Sequence, residues 1–262
     1  MRILRFTPPS GSPLGEDPLY GVLENESQIR VINGDPLYSG VQLRDERISL
    51  DSVRILAPVI PRSKVVCVGK NYADHAAEMG GEVPKEPIIF LKPNTSVIGP
   101  GDVINWPRQS ERVDHEAELA IVISRICKEV PKARYKDVIF GYTIANDVTA
   151  RDIQKSDGQW TRGKGFDTFC PLGPWIDTEF DPSSQRITAS VNGEIKQDAR
   201  LNEMVFDIPT LIEFITSAMT LLPGDVILTG TPAGIGPMTP NGEITIAIDG
   251  LGELTNRVSN RG

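Results

Sequence analysis

The sequence predicts an α+β fold dominated by β-strands, with helices at the periphery and a small β-rich domain at the N-terminus. Three observations predict it. Most apolar runs are short, rich in Val and Ile, and bounded by Gly, Pro, Asn or Asp, which is the pattern of strands and turns. Helical periodicity is confined to a few short segments. Strand-like and helix-like segments do not alternate, so a doubly wound sheet is disfavoured against a mixed, largely antiparallel one. With 262 residues, 39% of them hydrophobic, the chain can bury a sizeable core.

Taken in order, RILRF, YGVLE and IRVING read as short strands separated by polar loops, among them NGDPLYSG and LRDER. These make up a domain over residues 1–58. Two prolines in APVIP favour extended backbone and mark the linker to a second domain, 59–262. The second domain opens with the strand VVCVG, a turn, a short helix over Ala73–Met79 and a Gly80-Gly81 stop. PIIFLKP, AELAIVIS, FGYTIANDVT, RITASVNGEI, DVILTG and EITIAID read as further strands. Helices are expected around Ala150–Ser156 and over Pro209–Leu221, where Leu211, Ile212, Phe214, Ile215 and Met219 form an apolar face.

Composition narrows the function. The net charge is −8, and no Lys/Arg-rich block is present, so a groove that tracks nucleic-acid phosphates is not expected. No apolar stretch approaches the roughly 20 residues that span a bilayer, and the N-terminus lacks the long apolar core of a signal peptide. Cys67, Cys127 and Cys170 fit neither a disulfide framework nor a paired zinc motif. Reduced, cytoplasmic cysteines are the expectation.

The chemistry concentrates in VDHEAELAIVI. Side chains alternate across a strand, so Glu116 and Glu118 point the same way inside a β-prone apolar run. Two like charges about 7 Å apart repel, and burying them uncompensated costs several kcal/mol. A divalent cation relieves both problems; a solvent-facing edge strand is the alternative. Asp147 ends another β-prone run just before an expected helix, and would complete an all-oxygen set suited to Mg²⁺ or Mn²⁺. Its alternative is a helix N-cap, a role for which Asn146 competes, while Asp152 is expected in a surface salt bridge. The chain has two histidines. His75 lies three residues before Glu78 on the short helix, and a carboxylate beside an imidazole fixes its tautomer and suits a general base. An ordinary surface helix pair is the alternative. His115 alternates away from the glutamates and is expected to pack or to support them.

The motifs VGKNYADHAAEM, EPIIFLKP, DHEAELAIVI, GYTIANDVTARDIQ, KGFDTFCPLGPWI and LLPGDVILTGTPAGIGP follow one another in the order seen in the fumarylacetoacetate hydrolase family, which residues 60–258 therefore resemble. The preceding part looks like the small N-terminal domain of many bacterial members. The resemblance implies a mixed β-roll core and a homodimer. It implies Mg²⁺ or Mn²⁺ held by Glu116, Glu118 and Asp147, a water-activating dyad of His75 and Glu78 on a mobile lid, and Lys164 as a cation facing developing charge. Gln154 and Thr231 match positions that hold a 2-oxo acid, and Lys70 stands where several relatives carry arginine. Arg151 is set aside as a structural partner.

The implied activity is cleavage of a C–C bond in a small 2-oxo or 2,4-dioxo acid through an enolate. Acylpyruvate hydrolysis and oxaloacetate decarboxylation both qualify. Isomerisation of 2-hydroxyhepta-2,4-diene-1,7-dioate, a step of aromatic catabolism, is the alternative. The His/Glu pair favours cleavage, because members without it are associated with isomerisation. A non-catalytic dimeric scaffold is the competing class, and the intact set of matched residues argues against it.

Overall fold

The fold was obtained as a computed structural model, in which residues 1–261 are described. A twelve-stranded sheet forms its backbone. Across it run Leu43–Ser49, Gln28–Ile32, Leu19–Glu24, Arg2–Thr7, Cys170–Asp177, Ile139–Asn146, Ala117–Ile123, Val226–Leu228, Val65–Gly69 and Ile88–Lys92, with Arg54–Leu56 and Val97–Ile98 paired to the side. A five-stranded sheet, from Glu194–Arg200 through Arg186–Val191, Glu243–Ile248 and Gly252–Val258 to Val103–Ile104, packs against it. A small third sheet joins Thr149–Ala150, Val113–His115 and Gly236–Pro237. Most pairings are antiparallel, and three are parallel. The fold is β-dominated α+β, as the sequence predicts.

The N-terminal strands have a small core of their own, built on Leu4, Phe6, Ile29 and Val31. They are also hydrogen-bonded into the main sheet, where Arg2 faces Asp177 and Ile3 faces Ile176. LRDER, expected as loop, is part of the edge strand Leu43–Ser49. It is largely exposed, so it lacks the apolar alternation that would reveal it; its pairing with Gln28–Ile32 makes it a strand. Inside the expected loop NGDPLYSG, Asp35 caps the short helix Pro36–Ser39. Cys170–Asp177 is a central strand that the pattern hides, because Pro171, Gly173 and Pro174 interrupt it.

The helices lie close to expectation: Ala73–Glu78, Arg151–Asp157 and Ile208–Ala218. The last carries Asp207 as N-cap and buries Leu211, Ile212 and Ile215. Among the described residues no helix is long and apolar enough to cross a membrane.

Candidate active site

Two neighbouring strands change sheets at the same place, and the carboxylates sit at the change. Val113–His115 belongs to the small sheet and Ala117–Ile123 to the large one, with Glu116 between them. Beside it, Ile139–Asn146 lies in the large sheet and Thr149–Ala150 in the small one, with Asp147 between. The Asp147 backbone N–H donates to the Glu116 carbonyl at 2.9 Å, so the two breaks are in register. Glu118 follows two residues after Glu116, opposite Ala145. All three side chains are buried, and one oxygen of each lies within 4.8 Å of the others. Neither Asp147 nor Asn146 caps a helix. Ala150 occupies that position, and the Asn146 side chain instead accepts from the Glu116 N–H. Asp152, expected in a surface salt bridge, accepts from Ser110 and from the Glu111 backbone, because it faces the turn before Val113.

Cations compensate two of the three acids. The Lys164 ammonium reaches Glu116 at 2.7 Å and Asp147 at 2.6 Å. Lys92 reaches the other Asp147 oxygen at 2.5 Å, and Arg151 the other Glu116 oxygen at 2.5 Å. Burial alone would raise the Glu116 pKa, but Lys164, Arg151 and His75 outweigh it and hold the carboxyl well below the usual range. Among the described residues Glu118 makes no ion pair. Its one hydrogen bond comes from the Gly230 N–H at 2.6 Å, and burial, Asp147 and Glu116 push its pKa well above the carboxylate range. Lys164 is raised as well: burial opposes its charge, yet Asp147 and Glu116 prevail.

Above this cluster opens a narrow cleft, lined among others by Lys70, His75, Gln154, Trp160, Lys164 and Thr231. His75 Nδ1 lies 3.1 Å from Glu78 Oε2, which leaves Nε2 as the ring nitrogen available to the cleft. Lys70 has left-handed backbone, φ 55°, a conformation that costs a side-chain-bearing residue about 1–3 kcal/mol. The structure thus gathers Lys70, His75, Gln154, Lys164, Thr231, Glu116 and Asp147 around one cleft, with Glu118 and Glu78 directly behind.

Arg151, expected as a structural partner, is one, and it also lines the cleft. Its guanidinium binds Asp114 and Glu116 and donates to Gln154 Oε1 at 2.6 Å. That fixes the Gln154 amide with its NH₂ free for the cleft. Lys92 was missed; a lysine closing the apolar run IIFL was its signal. Trp160 and Phe90, whose rings meet edge to face at 5.2 Å, form the aromatic wall.

The carboxylate set fits a hard divalent cation. It offers three oxygens at close range, and among the described residues Glu118 is a buried acid with no ion-pair partner.

Residues 64–259 match the family described as fumarylacetoacetate (FAA) hydrolase C-terminal. The chain is a member of that family. Residues 1–58 match a second family, Rv2993c-like, N-terminal. Protein Rv2993c of Mycobacterium tuberculosis is 58% identical over 216 residues, 81% of each chain. The mitochondrial oxaloacetate tautomerase Fahd2a of Rattus norvegicus is 44% identical over 222 residues, 80% of this chain and 71% of its own. Among solved structures, 5-carboxymethyl-2-hydroxymuconate delta-isomerase from Mycobacterium smegmatis superposes with a TM-score of 0.90 at 46% identity, covering 99% of this chain and 100% of that one. Maleylpyruvate hydrolase from Sphingobium sp. SYK-6, solved with manganese(II) and pyruvate, matches at 31% identity and a TM-score of 0.79 over the full length of both chains. The fumarylacetoacetate hydrolase family is one of enzymes, hydrolases, isomerases and tautomerases among them.

Proposed function

We propose that this chain is a divalent-metal-dependent enzyme of small 2-oxo acids, and that its core reaction is proton transfer at C3 of an oxaloacetate-class diacid, interconverting keto and enol forms. The observation that supports it over cleavage is the 44% identity to an oxaloacetate tautomerase; His75 supplies the ring base that either reaction needs. His75 lines the cleft beside the acids and cations, and Glu78 at its Nδ1 orients the ring so that Nε2 is available. Glu116, Glu118 and Asp147 would hold Mg²⁺ or Mn²⁺, which supplies Lewis-acid stabilisation of the charge that develops on the oxo acid.

The chain's own groups do the rest. His75 Nε2 takes the proton from the methylene beside the oxo group and returns it to the enolate oxygen, so that C–H is broken and O–H formed. The reverse order converts enol to keto, and Glu78 stabilises the imidazolium held between the two transfers. Lys164 and Lys70 place positive charge in the cleft, where negative charge builds on the substrate. The Gln154 amide and the Thr231 hydroxyl receive the carboxylate end. Trp160 and Phe90 limit water on the apolar side. The similarity to an oxaloacetate tautomerase and to a muconate isomerase supports proton relocation as the core step.

The C–C cleavage expected from the sequence is the second reading, and the same dyad favours it. A histidine held by a glutamate can equally deprotonate water for attack on C4 of an acylpyruvate. The test follows enol-oxaloacetate by absorbance, with pyruvate release measured in parallel, in Mg²⁺ and in Mn²⁺. Metal-dependent loss of enol without pyruvate is expected. Pyruvate formed in step with substrate loss, from oxaloacetate or from acetylpyruvate, would replace the tautomerase reading by cleavage.

A further inference from the structure

Gln197 lies outside the cleft yet is fully buried, the one buried residue of the strand Glu194–Arg200. A register shift against Arg186–Val191 puts Ala189 opposite Gln197 and Ser190 opposite Ile195, so Lys196 is bulged out. Bulges of this kind re-aim side chains and recur beside active sites. Here the bulge supports the loop that follows Val226–Leu228. Gly234 of that loop, at φ 94°, passes so close that a Cβ would collide with the Lys196 carbonyl oxygen.

The hydrogen bonds of Gln197 have one possible direction. The Ala117 backbone N–H, which can only donate, points at Oε1 at 3.0 Å. The Pro232 carbonyl, which can only accept, faces Nε2 at 2.8 Å. Flipping the amide would set N–H against N–H and oxygen against oxygen. The second Nε2 proton therefore goes to Thr231 Oγ1, 2.8 Å away. Thr231 accepts, and among the described residues no group takes its own proton, while its side chain lines the cleft. On the other end, His115 Nδ1 at 3.0 Å from Oε1 must be the donor, which leaves its buried Nε2 bare.

We infer that Gln197 is a positioning residue for the substrate: it fixes the Thr231 hydroxyl as a hydrogen-bond donor into the cleft, aimed at the anionic end of the bound acid. The inference rests on the reading of the cleft as an oxo-acid site. Sequence position gives no hint of it, since Gln197 reaches the cleft only through Thr231.

The polarity can be inverted without changing shape. Gln197→Glu retains an acceptor for Ala117 and His115. Its other oxygen carries at most one proton where the amide carries two, and the Pro232 carbonyl claims that one. Thr231 must then donate to the introduced carboxyl group and turn a lone pair to the cleft. Binding of oxalate, a small diacid, to the Mg²⁺-loaded protein is measured by calorimetry. Gln197→Glu and Thr231→Val should each weaken it about tenfold to a hundredfold, the range for a lost hydrogen bond to a charged group. Thr231→Ser should bind as the parent does. The less similar Gln197→Met, which frees Thr231 to rotate, should lose less than the isosteric Gln197→Glu. Adding Gln197→Glu to Thr231→Val should change nothing further.

Wild-type binding by Gln197→Glu, or a further loss in the Thr231→Val background, overturns the inference. A ligand-free measurement judges it separately. Nitrogen NMR of His115 should show the proton on Nδ1, and a proton on Nε2 would reverse the network. If the wild type binds no oxalate while His115 carries Nδ1–H, the oxo-acid reading fails and the substrate role fails with it, but the hydrogen-bond polarity stands.

Discussion

At the carboxylate cluster, Glu116 and Asp147 share Lys164 and between them engage Lys92, Arg151 and Thr149. The helix Ala73–Glu78, which carries His75, is tied quite differently. Among the described residues, its one side-chain hydrogen bond to another element runs from the Gly234 N–H to Glu78 Oε1 at 3.1 Å. The first region is over-determined and the second is lightly held. Under the proposed function the difference would match two tasks: a cation site needs fixed oxygens, whereas a base that closes over a small acid needs a removable contact.

The sharpest way to break the comparison is at its rigid end. Asp147→Ala should abolish Mn²⁺ binding in calorimetry and leave Lys92 and Lys164 buried with their shared partner gone. Losing one partner of a buried pair costs about 3–5 kcal/mol, so thermal unfolding should move down markedly. The sequence alone suggests that an empty acidic cluster is self-repulsive and that the fold would tolerate this change. The paired lysines reverse that expectation. An Asp147→Ala protein that keeps its Tm would show that the cluster is looser than its ion pairs imply.

At the lightly held end, His75→Ala should lower kcat/KM for oxaloacetate tautomerisation by about 10²–10⁴-fold, the usual contribution of a positioned base. Unfolding should change less than in Asp147→Ala, since among the described residues the His75 side chain has one hydrogen-bond partner, Glu78. Intact tautomerisation in this variant would remove His75 from the proton path and leave the helix as a cover alone.

Glu118 sharpens the comparison within the cluster. Its pKa is raised, chiefly by burial and then by Asp147 and Glu116, so it keeps its proton to higher pH than an ordinary carboxylate. A cation must displace that proton, so binding at a pH above the usual carboxylate range should release protons, and affinity should climb as pH rises. Calorimetry in buffers of different ionisation enthalpy measures the release, and Glu118→Gln should remove it. Stability of the metal-free protein runs the same logic. The raised group favours the fold at low pH and loses that contribution as pH rises from the unfolded carboxylate value. Glu116, depressed by Lys164 and Arg151 despite its burial, does the opposite: its contribution is present above the unfolded value and lost on acidification.

What the sequence disclosed follows the same divide. Glu116, Glu118 and Asp147 were legible because acids inside β-prone apolar runs violate the local rule that strand interiors are apolar, and such violations mark function. His75 and Glu78 were legible from helical spacing. Arg151, Lys92 and Gln197 were not, since each acts across strands that only the folded sheets bring together: Arg151 meets Asp114 at a separation of 37 residues, and Gln197 meets Ala117 at 80. The strand Cys170–Asp177 escaped for a different reason. Its two prolines and one glycine erase the local signal, and its neighbours on both sides supply the strand instead.

The smallest expected effect tests the tie itself. Glu78 uses one oxygen for Gly234 and the other for His75, so Glu78→Gln can satisfy one of the two as acceptor but not both. The side chain is about one-third exposed, and a neutral hydrogen bond in such a place is worth about 0.5–1.5 kcal/mol. The amides of Ala76, Met79 and Gly80, which donate to Tyr72, His75 and Ala77, should therefore exchange with solvent about two- to tenfold faster. Amides along Ala117–Ile123 should keep their protection, because that strand is paired on both edges and opens only with the sheet. Unchanged exchange in the helix would mean that burial of Ala76 and Tyr72, not Glu78, holds it down. The helix would then be anchored by packing, and the contrast with the carboxylate cluster would disappear.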